Sequence, residues 1–213
     1  MKREFTKMHG LGNDYIYFNC LTEDISHPEA LAIRLSDRHF GIGGDGIILL
    51  CPSDRADVKM RMFNADGSEG KMCGNGIRCV GKYLYDNGIV TRTDLNVETR
   101  SGIRKLELQI QDREVRSVRV DMGRADFSPE GIPILLDGGP VVHREFSIAG
   151  RTYFITCVSM GNPHCVVFVE DVDSVPIATA GPMFENASVF PNRVNTEFVQ
   201  VRSGKVLKMR VWE

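Results

Sequence analysis

Lys59-Met60-Arg61-Met62-Phe63-Asn64 returns 149 positions later as Lys208-Met209-Arg210-Val211-Trp212-Glu213. In the same register Gly12-Asn13 falls on Gly161-Asn162, each just ahead of a strand-like run. Two matches at one offset, at the same kind of strand boundary, mark an internal repeat. The chain therefore reads as two related halves, residues 1–125 and 126–213, changing over within 120–145 near the Gly- and Pro-containing stretch 131–140.

Short strands dominate the pattern outward from these repeats. Leu106, Leu108 and Ile110 alternate with Lys105, Glu107 and Gln109, the mark of a half-buried strand. Asp112-Arg113 then turns the chain into a partner strand over 115–120. Further strands are expected at 15–18, 47–50, 58–63, 153–158, 165–169, 197–201 and 206–211. Helices are few. Ser26-His27-Pro28-Glu29 fits a capping box with an early proline, opening a helix through Leu31 and Leu35. A second helix starts just after Cys73, spaces Ile77, Val80 and Leu84 by three and four, and stops at Asn87-Gly88. A third is expected within 174–184. Many strands with few helices give an α+β fold class.

Composition narrows the function classes. The 213 residues are 42% hydrophobic and 25% charged, with 26 Lys and Arg against 28 Asp and Glu and a net charge of −2. That balance argues against a general nucleic-acid or membrane-surface binder. Apolar runs fall well short of the ~20 residues that span a bilayer, and the N-terminus has no secretory signal pattern. A cytoplasmic location with reduced thiols is expected for the six cysteines. None is spaced as C-x-x-C, so no zinc or redox site is expected; Cys157, His164 and Cys165 form only a loose cluster. Cys20, Cys51, Cys79 and Cys157 read as small buried hydrophobes.

Cys73-Gly74-Asn75-Gly76 opens a helix. The first amides of a helix lack internal partners and carry partial positive charge. Glycines there let an anion such as a carboxylate approach, and a thiol at a helix start is favoured as thiolate. A glycine-rich turn holding a buried cysteine would show the same letters, and both readings stay open on this motif alone. Other polar, glycine-flexed segments accompany it: His9-Gly10-Leu11-Gly12-Asn13-Asp14, Arg38-His39-Phe40-Gly41-Ile42-Gly43-Gly44-Asp45-Gly46, Phe63-Asn64-Ala65-Asp66-Gly67-Ser68-Glu69 and Met160-Gly161-Asn162-Pro163-His164. Asn13, Asn64, Asn75, Asn162 and Asn195 each offer an amide donor and acceptor to a zwitterion, although asparagine also serves turns and caps. Five together, most beside glycine, favour a polar small-molecule site.

These motifs, with Cys73-Gly74-Asn75-Gly76-Ile77-Arg78-Cys79 and Gly161-Asn162-Pro163-His164-Cys165, run in order over the whole chain. Together they resemble the diaminopimelate epimerase family. The resemblance implies two similar halves, each a β-barrel-like mixed sheet around a central helix, with the active site in the cleft between them. It implies PLP-independent epimerisation of LL- to meso-diaminopimelate in lysine biosynthesis, with neither cofactor nor metal, by two cysteines acting as an acid/base pair. By position Cys73 matches one catalytic cysteine. Asn13, Asn64, Gly74, Asn75, Asn162 and Asn195 match substrate contacts, and His164 and Glu213 match groups that tune the cysteine pair. One departure is Gly46, where some relatives carry a substrate-binding glutamine.

Carried through the repeat, the counterpart of Cys73 falls beyond Glu213. The second half is thus expected to lack its central helix and second catalytic cysteine, and the chain alone to be an inactive, shortened form. An uncovered apolar face and a free strand edge would lead it to dimerise, swap or precipitate, so a homodimer is allowed. The expected partner is the amino-acid substrate, with neither nucleic acid nor membrane. Two other readings stand beside the first: a cofactor-free racemase of another amino acid, and a non-catalytic binding fragment.

Overall fold

The run Gly46-Ile47-Ile48-Leu49-Leu50-Cys51 is buried along its whole length, so both faces of that strand must be covered. Ile48 and Leu50 join one apolar cluster, and Ile47 and Leu49 another. The two clusters belong to the first of two compact units, which divide the chain between Met122 and Gly123. The computed structural model describes residues 2–213.

Unit 1 contains β1 (Thr6–Gly10), β2 (Asn13–Asn19), α1 (Pro28–Ser36), β3 (Gly46–Cys51), β4 (Val58–Asn64), β5 (Glu69–Gly70), α2 (Gly74–Asp86), β6 (Asp94–Thr99), β7 (Gly102–Gln111) and β8 (Glu114–Val120). The sheet order is β1-β2-β3-β4-β6-β7-β8, with β5 paired to β4. Helix α2 packs against β1 and β8, the two edges, so the sheet curls around it. Its Ile77, Val80 and Leu84 are at most 1% exposed, and each such burial is worth about 1.5–3 kcal/mol. Gly81 lets the helix close on β7, since a Cβ there would lie 2.9–3.0 Å from Leu108 and Leu106. Past the helix, Gly88 takes a positive φ of 68° and returns its amide to Tyr85 O, the stop expected of Asn87-Gly88. Helix α1 covers the other face, with Ala32 buried among Ile16, Phe18, Ile47, Leu49 and Phe63.

Unit 2 contains β9 (Arg144–Ile148), β10 (Arg151–Ser159), β11 (Pro163–Phe168), α3 (Ile177–Glu185), β12 (Asn195–Ser203) and β13 (Val206–Trp212). The order is β13-β12-β11-β10-β9. Phe184 of α3 packs edge-on against Tyr153 and Phe198. The 131–140 stretch contributes Ile132 and Ile134 to this core.

The 149-residue offset is a property of the backbone as well as of the letters. It carries the bounds of α1 onto those of α3. The parallel pair Tyr15↔Gly46 becomes His164↔Asn195, and the antiparallel pair Ile47↔Phe63 becomes Thr196↔Trp212. One joint differs. The first hairpin closes Gly10 on Asn13, whereas the second closes Ser159 on Pro163 and so holds one more residue.

One expectation needs correction. The capping box at Ser26 does not form: the cap residue is His27, in left-handed conformation and without a side-chain bond, and Pro28 begins the helix. Proline suits the first turn because its missing N–H would have no partner there. Cys157, His164 and Cys165 lie on neighbouring strands without sharing one face. Cys157 and Cys165 are register partners in the unit 2 core, while His164 precedes Cys165 and so points to the opposite face.

Candidate active site

Cys73 caps α2 in extended conformation, and its Sγ accepts the Gly76 amide at 3.2 Å. Ile77 N–H returns to Cys73 O at 2.9 Å, leaving Gly74 and Asn75 as the orphan donors of the first turn. Close approach elsewhere makes this geometry possible. A Cβ on Gly76 would lie 2.6 Å from Ile48 Cδ1, and one on Gly10 would lie 3.1 Å from Asn75 O. Glycine at both places lets the helix start settle onto β3 and β1.

Asn13 is delivered to the thiol by the β1–β2 turn, where Leu11 and Gly12 both take positive φ, the two-residue hairpin geometry. Cys73 Sγ donates to Asn13 Oδ1 at 3.3 Å, and Asn75 Nδ2 approaches the same oxygen at 3.5 Å. Asn13 Nδ2 in turn donates to Asp45 Oδ2 at 2.7 Å. Arg38 locks this arrangement with a bidentate grip on Asp14 at 2.7 and 3.2 Å and a third bond to Asp45 at 2.9 Å. That guanidinium, against the opposing effect of burial and with help from Lys7, holds the Asp14 carboxyl at about 2. Arg38 and Asp45 thus act through Asn13, a role the glycine-rich loop only hinted at. Tyr15 is 5% exposed; burial, then the nearby Cys73, pushes its phenol up.

Asn64 ends β4 opposite Gly46 and donates from Nδ2 to Ser68 Oγ at 3.0 Å. Gly46 has no room for a side chain, since a Cβ would lie 2.1 Å from Phe63 O and 2.9 Å from the Tyr15 ring. The Tyr15 ring therefore flanks Gly46.

In unit 2, Asn162 sits in the β10–β11 turn, while His164 and Asn195 are register partners on adjacent parallel strands. His164 Nδ1 lies 2.6 Å from Glu197 Oε1, and Nε2 lies 3.0 Å from Asn162 Oδ1. Glu213 follows Trp212, the partner of Thr196. Glu197 was not among the sequence candidates. Its only trace is position, two residues past Asn195 on an alternating strand.

The thiols separate by access. Cys73 is partly exposed, and the other five are buried. Burial pushes Cys79 up. Cys165 is raised further by the neighbouring Cys157 thiol and by burial. Cys20 is lowered by the neighbouring Cys51 thiol but is only 3% exposed. Among the described residues no group of three or more His, Cys, Asp or Glu could hold a metal ion, and no helix is long and apolar enough to cross a membrane.

The family profile described as diaminopimelate epimerase matches residues 5–128 and 156–213. The chain belongs to the diaminopimelate epimerase family. It is 53% identical over 209 residues to the diaminopimelate epimerase of Acetivibrio thermocellus, covering 98% of this chain and 75% of that protein. It is 49% identical over 210 residues to the one of Methanococcus maripaludis, covering 99% and 76%. Among solved structures, a probable proline racemase from Agrobacterium radiobacter superposes with a TM-score of 0.71 at 13% identity, over 97% of this chain and 69% of that one. A hydroxyproline epimerase from Agrobacterium vitis gives 0.66 at 14% identity, over 97% and 69%. At such identity these two bear on the fold, which is α+β and of the diaminopimelate epimerase type.

Proposed function

We propose that this chain serves the epimerisation of LL- to meso-diaminopimelate in lysine biosynthesis, with Cys73 as the acid/base thiol on one face of the α-carbon. The observation that carries this reading is Cys73 itself: the partly exposed thiol, at a helix start, bonded to Gly76 N–H and Asn13 in a chain of this family. The difficulty of the reaction is the weak acidity of an amino-acid α-proton. As thiolate, Cys73 takes that proton, and the developing negative charge falls to fixed amide donors. The Gly74 and Asn75 amides suit the α-carboxylate. Asn13, Asn64, Asn75, Asn162 and Asn195 offer amide groups to the carboxylate and ammonium, and His164 and Glu213 tune the acid/base pair.

Returning a proton to the opposite face needs a second accessible thiol. Cys20, Cys51, Cys79, Cys157 and Cys165 are all buried, so a polypeptide of these 213 residues is expected to be silent in a conversion assay. Turnover at the level of a full-length relative would overturn that expectation. Alkylation mapped by mass spectrometry tests the role of Cys73 directly. Cys73 is expected to label at least ~10-fold faster than any other cysteine near neutral pH. Cys73→Ala should abolish the fast phase, and first labelling at Cys20 or Cys51 would refute the assignment. Calorimetry with diaminopimelate separates a binding fragment from one that no longer recognises the substrate.

A further inference from the structure

We propose that Glu197 is a positioning residue for His164, its buried carboxylate fixing the ring with Nδ1–H turned inward and Nε2 turned to Asn162. The inference rests on the reading of His164 as part of the epimerase machinery, and it adds to that machinery a residue the family motifs did not mark.

The geometry begins with strand pairing. His164 pairs with Asn195 and Val166 with Glu197, so His164, Asn195 and Glu197 share one face of the sheet. Glu197 reaches back along that face to place Oε1 2.6 Å from His164 Nδ1. A carboxylate only accepts, so Nδ1 must carry the proton of that bond. A protonated ring donates from Nε2–H to Asn162 Oδ1, 3.0 Å away; in the neutral ring Nε2 keeps its lone pair, and a half-turn of the Asn162 amide brings its NH2 to that nitrogen.

Packing alone does not account for a carboxylate here. Glu197 is 8% exposed. Its second oxygen, Oε2, is buried without a hydrogen-bond partner among the described residues, which costs stability. The equivalent position in unit 1 is Ile48, fully buried in an apolar cluster. The frame accepts an aliphatic side chain at this site, and Glu197 stands there at a cost whose visible return is the orientation of His164.

The test is the ring-nitrogen spectrum of His164 by 15N NMR on the 213-residue chain, at a pH where the ring is neutral. Wild type is expected to show Nδ1 as the protonated, pyrrole-type nitrogen and Nε2 as the pyridine type. Glu197→Gln keeps an acceptor oxygen and should keep that pattern. Glu197→Ile, which copies the residue at position 48, should lose the separation between the two signals as the tautomers mix, with backbone amide dispersion retained. An Nε2–H tautomer in wild type would overturn the proposal whether or not the variants fold. An unchanged pattern in Glu197→Ile would overturn it as well. The readout needs no turnover, so it stands apart from the epimerase reading.

Discussion

Positions 48 and 197 are one place in two copies of a frame, yet they hold isoleucine and glutamate. The frames agree because their outer faces are built alike. Ile16, Phe18, Ala32, Leu49 and Phe63 of unit 1 correspond to Cys165, Val167, Gly181, Phe198 and Trp212 of unit 2, and in both units the outer helix covers that face. The inner faces part company. In unit 1, Tyr15, Ile48, Val58, Met60 and Met62 are buried beside α2. Their counterparts are His164, Glu197, Leu207, Met209 and Val211, of which the last three are 41–62% exposed. Strand register is thus set by packing on one side of the sheet, which frees the other side to diverge chemically.

Exchanging the two residues should give unequal results. Ile48→Glu places an unpartnered carboxylate under Gly76 and should cost ~3–5 kcal/mol by urea unfolding. Glu197→Ile should stay within about 1 kcal/mol of wild type, because it removes a half-satisfied buried charge. Equal costs would mean that the two inner faces are not distinct environments.

A smaller effect is expected on the outer face. A Cβ on Gly181 would lie 2.2 Å from Trp212 Cγ, whereas unit 1 pairs Ala32 with the smaller Phe63 in one cluster. Gly181→Ala should therefore cost about 2–3 kcal/mol. Trp212→Phe should relieve it, with a coupling of at least ~1 kcal/mol in a double-mutant cycle. Simple additivity would show that the match of small and large residues is incidental.

The smallest effect belongs to the network that unit 1 alone possesses. Arg38 depresses the Asp14 carboxyl from 3.8 to about 2. A depressed carboxyl stabilises the fold above its ordinary range, and that contribution fades as pH falls from about 4 towards 2. Arg38 is more than half exposed, so solvent screening leaves roughly 1 kcal/mol. Arg38→Gln should remove this part of the acid dependence and leave stability at pH 2 nearly unchanged. A variant as acid-sensitive as wild type would point to another carboxylate.

Much of the fold was legible because it rests on local pattern. The strand at 106–110, the turn at Asp112-Arg113 with both residues at positive φ, and the helix from Cys73 to Asn87 were all readable. The strands that escaped notice, β1, β5, β6 and β9, are short or carry charged and polar residues at alternate positions. Their burial depends on neighbours far away in sequence. At the site, the Cys73–Gly76 cap was legible as a motif. The grip of Arg38 on Asp14 was not, because a whole helix separates the two along the chain.

The letters alone settled the repeat, its offset of 149, the helix start at Cys73 and the family. Each is recorded by residues near one another or by a spacing along the chain. Tertiary structure settled which thiols are reachable, which ring flanks Gly46, and which carboxylate holds His164. Those depend on the register of strands distant in sequence and on the face each side chain takes, and a parallel pairing such as β11 with β12 leaves no local trace of either.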